Sequence, residues 1–368
     1  MSEKPQQAVI LIPSLEPDGR LPAYVDQLLE RGFAHVVIVD DGSSESYQPI
    51  FTDLARKTGC TVLHHEVNRG KGSALKTGLH WIEENLPDCS GVITADADGQ
   101  HTVEDCWKLA ETLAGGRRAL YLGSRDFNQA DVPPKSRFGN KITSAVFRLF
   151  YGKYLPDTQT GLRAFRREEL PFMQRVEGER FEYEMNVLIA CAMQKLDMIP
   201  ITIRTVYENE NSGTHFHPIR DSYRIYKVIL GNFIRFMGAS IASFVLDQGL
   251  FALLRYVLLI GLGFNDDILR WVSTLLARCV SAPFNFLLNR NMVFRSKSAV
   301  SRSGLRYILL SVAIVCMSAL LINVLSWLGM PKFLDSLSKL LVDTLLYFVS
   351  YRVQRNWVFD KTQEDAAA

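Results

Sequence analysis

Ile93-Thr94-Ala95-Asp96-Ala97-Asp98-Gly99-Gln100-His101 closes an apolar run that opens at Gly91, and the reading of this stretch decides the fold. As the end of a β-strand it turns two carboxylates, at i and i+2, to the same side, where both can meet one hard cation and the diphosphate that the cation carries. A lone Asp-x-Asp is more often a solvated turn, so its surroundings have to carry the reading.

Working outward, four further short apolar runs rich in β-branched residues occur at Ala8 to Ile12, Val36 to Val39, Cys60 to Leu63 and Ala119 to Leu122. Such runs are typical of strands buried on both faces. Stretches of helical length lie between them, at 21–31, 46–57, 72–84 and 103–114. Alternation of this kind predicts an α/β domain, a Rossmann-like and mostly parallel doubly wound sheet, whose ligands sit beyond the C-terminal strand ends. The polar clusters fall at those ends: Pro13-Ser14, Asp40-Asp41-Gly42-Ser43, Asn68-Arg69-Gly70-Lys71-Gly72, Asp96 to His101, and Gly123-Ser124-Arg125. Taken singly, each is a turn or a helix cap. Their shared edge makes them a site.

The formal charge of +2 over 368 residues averages two unlike halves. Charged and apolar residues mix through about residue 219, whereas 237–358 is largely apolar. Cys60, Cys89, Cys106, Cys191, Cys279 and Cys316 are scattered, without C-x-x-C spacing, which argues against a zinc site and a disulfide framework and fits a reducing cytosol. The apolar run Ala8 to Ile12 is too short for a signal-peptide core, so the mixed half is expected to stay cytoplasmic.

In the apolar half, Arg220, Arg224, Lys227 and Arg235 share one side of a helical wheel, with Ile225, Ile229, Phe233 and Phe236 opposite. An amphipathic helix over 220–237, lying in the headgroup region, is expected, with an ordinary surface helix as the alternative. Four spans follow, over 238–262, 268–289, 306–328 and 333–353, the last interrupted by Lys339 and Asp343, and a polar tail occupies 360–368. Arg290, Arg295, Lys297, Arg302 and Arg306 between the second and third spans place that loop and both termini in the cytoplasm of a multi-pass cell-membrane protein. Phe286 to Phe294 is echoed by Tyr351 to Phe359, each with Arg-Asn-x-Val-Phe, which suggests two related helix hairpins. Asp247, Arg255, Arg278 and Asp343 fall inside spans; an Asp247–Arg278 structural pair and a grip on a phospholipid headgroup are both open readings.

From Ala8 to His217 the sequence resembles GT-A fold, family 2 glycosyltransferases of the dolichyl- or polyprenyl-phosphate sugar synthase type. The resemblance rests on Val39-Asp-Asp-Gly-Ser43, Asn68 to Gly72, Asp96-Ala-Asp-Gly-Gln100, Gly123-Ser-Arg125 and Asp157-Thr-Gln-Thr-Gly-Leu-Arg-Ala-Phe165. Residues 236–359 resemble a GtrA-like four-helix membrane domain. The expected domains are therefore a transferase at 1–219, the interfacial helix at 220–237, an all-α transmembrane domain at 238–359 and the tail.

The resemblance implies that Pro13, Leu15, Val39 and Asp41 line the base and ribose. It places Asp96, Ala97, Asp98 and Gln100 at the donor diphosphate, with Asp96, Asp98 and Gln100 holding Mg²⁺ or Mn²⁺. Arg125 and Arg137 would meet donor and acceptor phosphates, although Arg137, between Lys135 and Lys141, also reads as part of a basic patch. Asp98, Arg125 and Asp157 are the expected catalytic residues. Leu15-Glu16-Pro17 stands where the family often has Tyr-Asn-Glu, so the nucleotide, UDP or GDP, does not carry over. Asp157, Glu182 and Glu184 are candidate bases, but a phosphate monoester acceptor, with a second pKa of about 6, needs none.

The implied reaction is inverting, metal-dependent sugar transfer from a nucleotide diphosphate to undecaprenyl or dolichyl phosphate at the cytoplasmic face, for envelope glycan or glycoconjugate synthesis. No nucleic acid is implied, and homo-oligomerisation is left open. The rivals are a lipid-linked sugar transporter with a nucleotide-binding soluble half, and a polysaccharide synthase. The synthase's Q-x-x-R-W motif is absent, because Gln354-Arg355-Asn356-Trp357 does not supply it.

Overall fold

The apolar runs become the strands of one sheet in the computed structural model, which describes residues 4–127, 134–204, 218–258, 265–296, 298–328 and 335–359. The chain forms two units, Met1–Ile229 and Leu230–Ala368. In the first unit β1 (Ala8–Ser14), β2 (His35–Asp40), β3 (Cys60–His64), β4 (Gly91–Thr94) and β5 (Leu120–Arg125) fall where the runs predict. Two strands that the runs do not announce, β6 (Arg163–Arg166) and β7 (Met198–Ile203), complete the order β3-β2-β1-β4-β6-β5-β7. Among the described residues β6 pairs antiparallel with β4 and β5, and the remaining pairs are parallel.

Helices α1 (Arg20–Arg31), α2 (Gln48–Ala55), α3 (Lys71–Asn85) and α4 (Val103–Gly115) are the crossovers between these strands. The core places Leu21, Val25 and Leu28 of α1, Phe51 and Leu54 of α2, and Cys106, Leu109 and Leu113 of α4 against Ile10, Ile12, Val36 and Ile38 of the sheet. Each such side chain, fully buried, contributes about 1.5–3 kcal/mol. β2 and β3 lie on one side of β1, and β4 lies on the other. The winding therefore reverses at the C-terminal ends of β1 and β4, where a crevice opens in folds of this kind. Asp96 and Asp98 follow β4 directly at that point.

Helices α5 (Pro134–Tyr151), α6 (Leu170–Arg175) and α7 (Glu182–Met193) finish the first unit, together with the start of α8 (Pro218–Leu253). The in-plane helix expected over 220–237 and the span expected from 238 are one continuous helix here. At about 1.5 Å per residue, 36 residues extend about 54 Å, well beyond the roughly 30 Å of hydrocarbon in a bilayer. The side chains of Arg220, Arg224 and Ile225, part of the expected amphipathic wheel, fall outside the described residues.

In the second unit α8 continues and is followed by α9 (Asp266–Leu288), α10 (Val300–Trp327) and α11 (Asp335–Val353). Tyr226–Val257, Asp266–Val293 and Val300–Trp327 are long and apolar enough to cross a membrane. The fourth expected span is a helix, α11, but Lys339, Asp343 and Arg352 interrupt its apolar character.

The sequence echo is structural. Each copy runs into a five-residue π-helical turn, Asn289–Val293 in one and Gln354–Val358 in the other. Phe286 packs on Phe359 at 5.7 Å, Tyr351 on Phe294 at 5.8 Å, and Phe294 stacks on Phe359 at 5.2 Å, so the two copies interlock reciprocally. The four ionisable groups noted inside the expected spans are paired. Asp247 accepts from Ser281 Oγ at 2.7 Å and lies 3.4 Å from Arg278; Arg255 pairs with Asp266, and Asp343 with Lys339 and Ser318.

Candidate active site

The site is assembled from loops at the C-terminal edge of the sheet. Asp96 Oδ1 lies 2.6 Å from Lys71 Nζ, and the same ammonium reaches Glu184 Oε1 at 3.0 Å. Lys71 is the first residue of α3 and Glu184 stands in the first turn of α7, so three separate elements converge on this cluster. Burial raises the Asp96 carboxyl, but Lys71, His101 and Arg125 outweigh it and hold the group down to about 2. Burial likewise opposes the charge on Lys71, and Asp96 with Glu184 drives its pKa above the ordinary lysine value. The Asp96 N–H donates to His101 Nδ1 at 3.1 Å. Burial lowers the His101 pKa, which favours a neutral ring with its hydrogen on Nε2.

Asp98 differs from Asp96. Its Oδ1 accepts the Gln100 N–H at 3.0 Å, while burial and then the Asp96 charge push its carboxyl pKa up. Two carboxylates in mutual repulsion are a donor set that fits a hard divalent cation. Among the described residues no three His, Cys, Asp or Glu side chains form a metal cage. A cation held by Asp98, Asp96 and Gln100 would therefore complete its shell with phosphate oxygens and water, as Mg²⁺ favours. Gly161 closes the floor: a Cβ there would collide with the Asp96 carboxylate, so the Asp157–Gly161 backbone lies directly against it.

Arg125, at the end of β5, donates through Nε to Asp157 Oδ2 at 2.7 Å and through Nη2 to Oδ1 at 3.2 Å. The Arg125 and Gln159 backbone N–H groups supply two more bonds, at 3.3 and 3.0 Å. With four hydrogen bonds the Asp157 carboxylate has used its acceptor sites, and it is wholly buried. That removes it as a base: it holds the guanidinium. Of the other two candidates, Glu182 accepts the Glu179 and Arg180 N–H groups and serves its own loop, while Glu184 faces the cluster through Lys71.

Beyond the end of β2, Asp41 is buried with both oxygens engaged. Its Oδ1 meets His65 Nδ1 at 2.7 Å and the Arg69 N–H at 2.9 Å, and its Oδ2 takes the Gly70 N–H at 2.7 Å. A carboxylate at the start of α3 is favoured by the helix dipole. Gly70 has φ +102°, and a Cβ there would strike Glu179 and Arg180, so glycine is required for this turn. Asp41 thus secures the loop that delivers Lys71. Val39 is fully buried, so its side chain belongs to the core and only its backbone borders the crevice. Pro13 pairs in register with Val39 and is buried, Leu15, Ala97 and Gln100 are half-buried beside the crevice, and Arg137 is half-buried on the first turn of α5.

Lys71 and His101 are the participants that reasoning from motifs left without roles. The signal for Lys71 was present in Asn68-Arg69-Gly70-Lys71-Gly72 at a strand end, but its partner Glu184 comes from more than a hundred residues away.

Residues 9–170 match the family model described as Glycosyl transferase family 2, and residues 235–359 match GtrA/DPMS, transmembrane domain. The first unit is a family 2 glycosyltransferase. Its chain is 28% identical over 215 residues to a UDP-N-acetylglucosamine--dolichyl-phosphate N-acetylglucosaminyltransferase of Methanococcus voltae, covering 54% of this chain and 85% of the relative. It is 25% identical over 243 residues to a dolichyl-phosphate beta-glucosyltransferase of Dictyostelium discoideum, covering 60% and 72%. A polyprenol monophosphomannose synthase of Mycolicibacterium smegmatis is 28% identical over 171 residues, covering 45% and 63%. Among solved structures, mannosyl-3-phosphoglycerate synthase from Rubrobacter xylanophilus aligns with a TM-score of 0.44 at 15% identity, over 71% of this chain and 79% of that one. This glycosyltransferase thus joins a mostly parallel α/β domain to a GtrA-like membrane domain.

Proposed function

We propose that this glycosyltransferase moves a sugar from a UDP- or GDP-linked donor to a polyprenyl phosphate at the cytoplasmic membrane face, with inversion in a single displacement. The observation that carries the reading is the saturation of Asp157 by Arg125 and Gln159, which leaves no free carboxylate there to deprotonate an acceptor. A phosphate monoester is already largely dianionic at neutral pH and attacks without a base. Arg125, fixed in a planar fork, is suited to phosphate oxygens in two-point contact. Its guanidinium also lies over Phe127, with Cζ 5.1 Å from the ring centre, a cation–π contact that helps hold it in place.

Mg²⁺ or Mn²⁺, held by Asp96, Asp98 and Gln100, would neutralise charge on the leaving diphosphate. Lys71 sets the charge of Asp96, His101 fixes the backbone from which Asp96 projects, and Asp41 with His65 fixes the loop from which Lys71 projects. Arg137 is the proposed second contact to the acceptor phosphate. Four passes with both termini cytoplasmic, following the positive-inside pattern, keep acceptor and site at one face. The named ionisable groups of the membrane unit are paired with one another, which supports a structural role for them over transport.

The test uses membranes containing the full chain, undecaprenyl or dolichyl phosphate, Mg²⁺ or Mn²⁺ and a panel of labelled UDP- and GDP-sugars. Label should enter an organic-extractable, mild-acid-labile product, and Asp98→Asn should lower its formation by about 10²–10³-fold. Nucleotide binding without lipid product across the whole panel would sink the reading.

A further inference from the structure

Asn140, in the second turn of α5, is a polar side chain turned inward, only 2% exposed. Its Nδ2–H donates to the Pro156 carbonyl at 2.5 Å, and its Oδ1 accepts the Thr158 N–H at 3.4 Å. Those two backbone groups flank Asp157, so one amide spans the short segment from which that buried carboxylate projects. The orientation of the amide follows from its partners, because a flipped group would set N–H against N–H and oxygen against oxygen. Buried polar groups of this kind need their partners, so the two bonds hold segment 156–158 to the helix.

Asp157 in turn holds Arg125 through Nε and Nη2. Arg125 is therefore referred to α5 by two buried steps, Asp157 first and Asn140 second. Arg137 stands on the same helix three residues before Asn140, and residues at i and i+3 are neighbours on one side of a helix. Helix α5 thus carries one arginine directly and the other through Asn140. The hydroxyls beside this joint do not duplicate it: Ser144 Oγ, one turn on from Asn140, and Thr158 Oγ1 are buried without a hydrogen-bond partner among the described residues.

We infer that Asn140 is a positioning residue, which fixes the spacing between Arg125 and Arg137 and with it their joint grip on the acceptor phosphate. Being buried, it acts through Asp157 and α5 and not by contact with substrate. The inference rests on the acceptor reading proposed above. Guanidinium groups meet phosphate oxygens in directed pairs, so two of them serve one phosphate only at a set separation. A shift of about 1 Å in a positioning group can cost about 10²-fold, and a helix free to slide against segment 156–158 would produce such a shift.

The experiment measures transfer by the full chain in membranes, with undecaprenyl or dolichyl phosphate as acceptor and the nucleotide sugar that the panel selects as donor. Asn140→Ala removes both bonds. Asn140→Gln keeps the amide but lengthens its arm by a methylene, so it tests the spacing even where the alanine variant does not fold. Each should raise the KM for the lipid phosphate by about tenfold or more, while the KM for the donor stays within about twofold of wild type. Arg137→Met should raise the same acceptor KM, and adding Asn140→Ala to it should change little, because the spacing then has no second arginine to serve. An unchanged acceptor KM in Asn140→Gln overturns the inference. Donor and acceptor KM rising together, or effects of Asn140→Ala and Arg137→Met that multiply, overturn it as well, since both patterns belong to a general loss of structure. Those outcomes leave the acceptor reading standing; a wild-type chain that forms no lipid product sinks that reading and this inference with it.

Discussion

Asp157 and Asp98 are both aspartates on loops beyond the same sheet, yet the structure treats them in opposite ways. Asp157 is fully buried and accepts four hydrogen bonds, two of them from a guanidinium side chain. Asp98 keeps one oxygen committed to Gln100 N–H and faces the like charge of Asp96. A saturated carboxylate shapes its neighbours, while one held in repulsion with spare ligand capacity awaits a cation. The difference teaches that residue type and motif membership do not assign roles in this site; occupancy of lone pairs does.

The largest test of that contrast is Asp157→Asn. Breaking a buried charge pair from one side costs about 3–5 kcal/mol, so a clear drop in the thermal midpoint of the detergent-solubilised chain is expected. The double variant Arg125→Met/Asp157→Asn should cost less than the two single changes added, because the partners share one interaction. Additive losses would break the pairing argument.

Asp98→Asn should act on chemistry with no such loss of stability. Transfer should fall by about 10²–10³-fold, the range for removal of one electrostatic stabiliser, and Mn²⁺ binding should be lost. The sign for folding follows from its raised pKa: the folded state disfavours the charged form, so Asp98 opposes folding above that pKa. The thermal midpoint at neutral pH should stay level or rise, and a fall would count against the contrast.

Lys71→Met sharpens the comparison from the Asp96 side. Freed from the ammonium, Asp96 should let the site bind Mn²⁺ without nucleotide about tenfold more tightly, the scale of one close charge interaction, as read by electron paramagnetic resonance. Unchanged affinity would show that Lys71 does not govern Asp96.

The pH dependence is a smaller effect. Because the Asp98 carboxyl is raised, Mn²⁺ affinity should begin to fall at a pH above the ordinary aspartate value of about 3.9. In Asp96→Asn the same acid limb should move to lower pH, since the neighbouring negative charge is gone. Smallest is Glu182→Gln, which keeps an acceptor oxygen for the Glu179 and Arg180 N–H groups and should change stability by no more than about 0.5 kcal/mol, leaving transfer intact.

Much of the architecture could be read from the chain. Five apolar runs located five strands, because parallel strands buried on both faces leave a strong compositional trace. β6 was invisible: Arg163-Ala-Phe-Arg166 has two arginines in four residues, and Arg163 is buried only because the Thr160 and Glu184 carbonyls accept its N–H groups. The Arg-Asn-x-Val-Phe echo could be seen in the sequence, but not that its aromatic residues interlock.

The sequence by itself determined the class of the catalytic unit and the presence of membrane-length helices, since these depend on local pattern and on spacing along the chain. Only the tertiary structure decided that Asp157 serves Arg125, that Lys71 joins Asp96 to Glu184, that Asp41 secures a loop, and that α5 brings Asn140 to the backbone on either side of Asp157. Each of these depends on which distant groups fill a side chain's hydrogen bonds, and the fold alone brings those groups together.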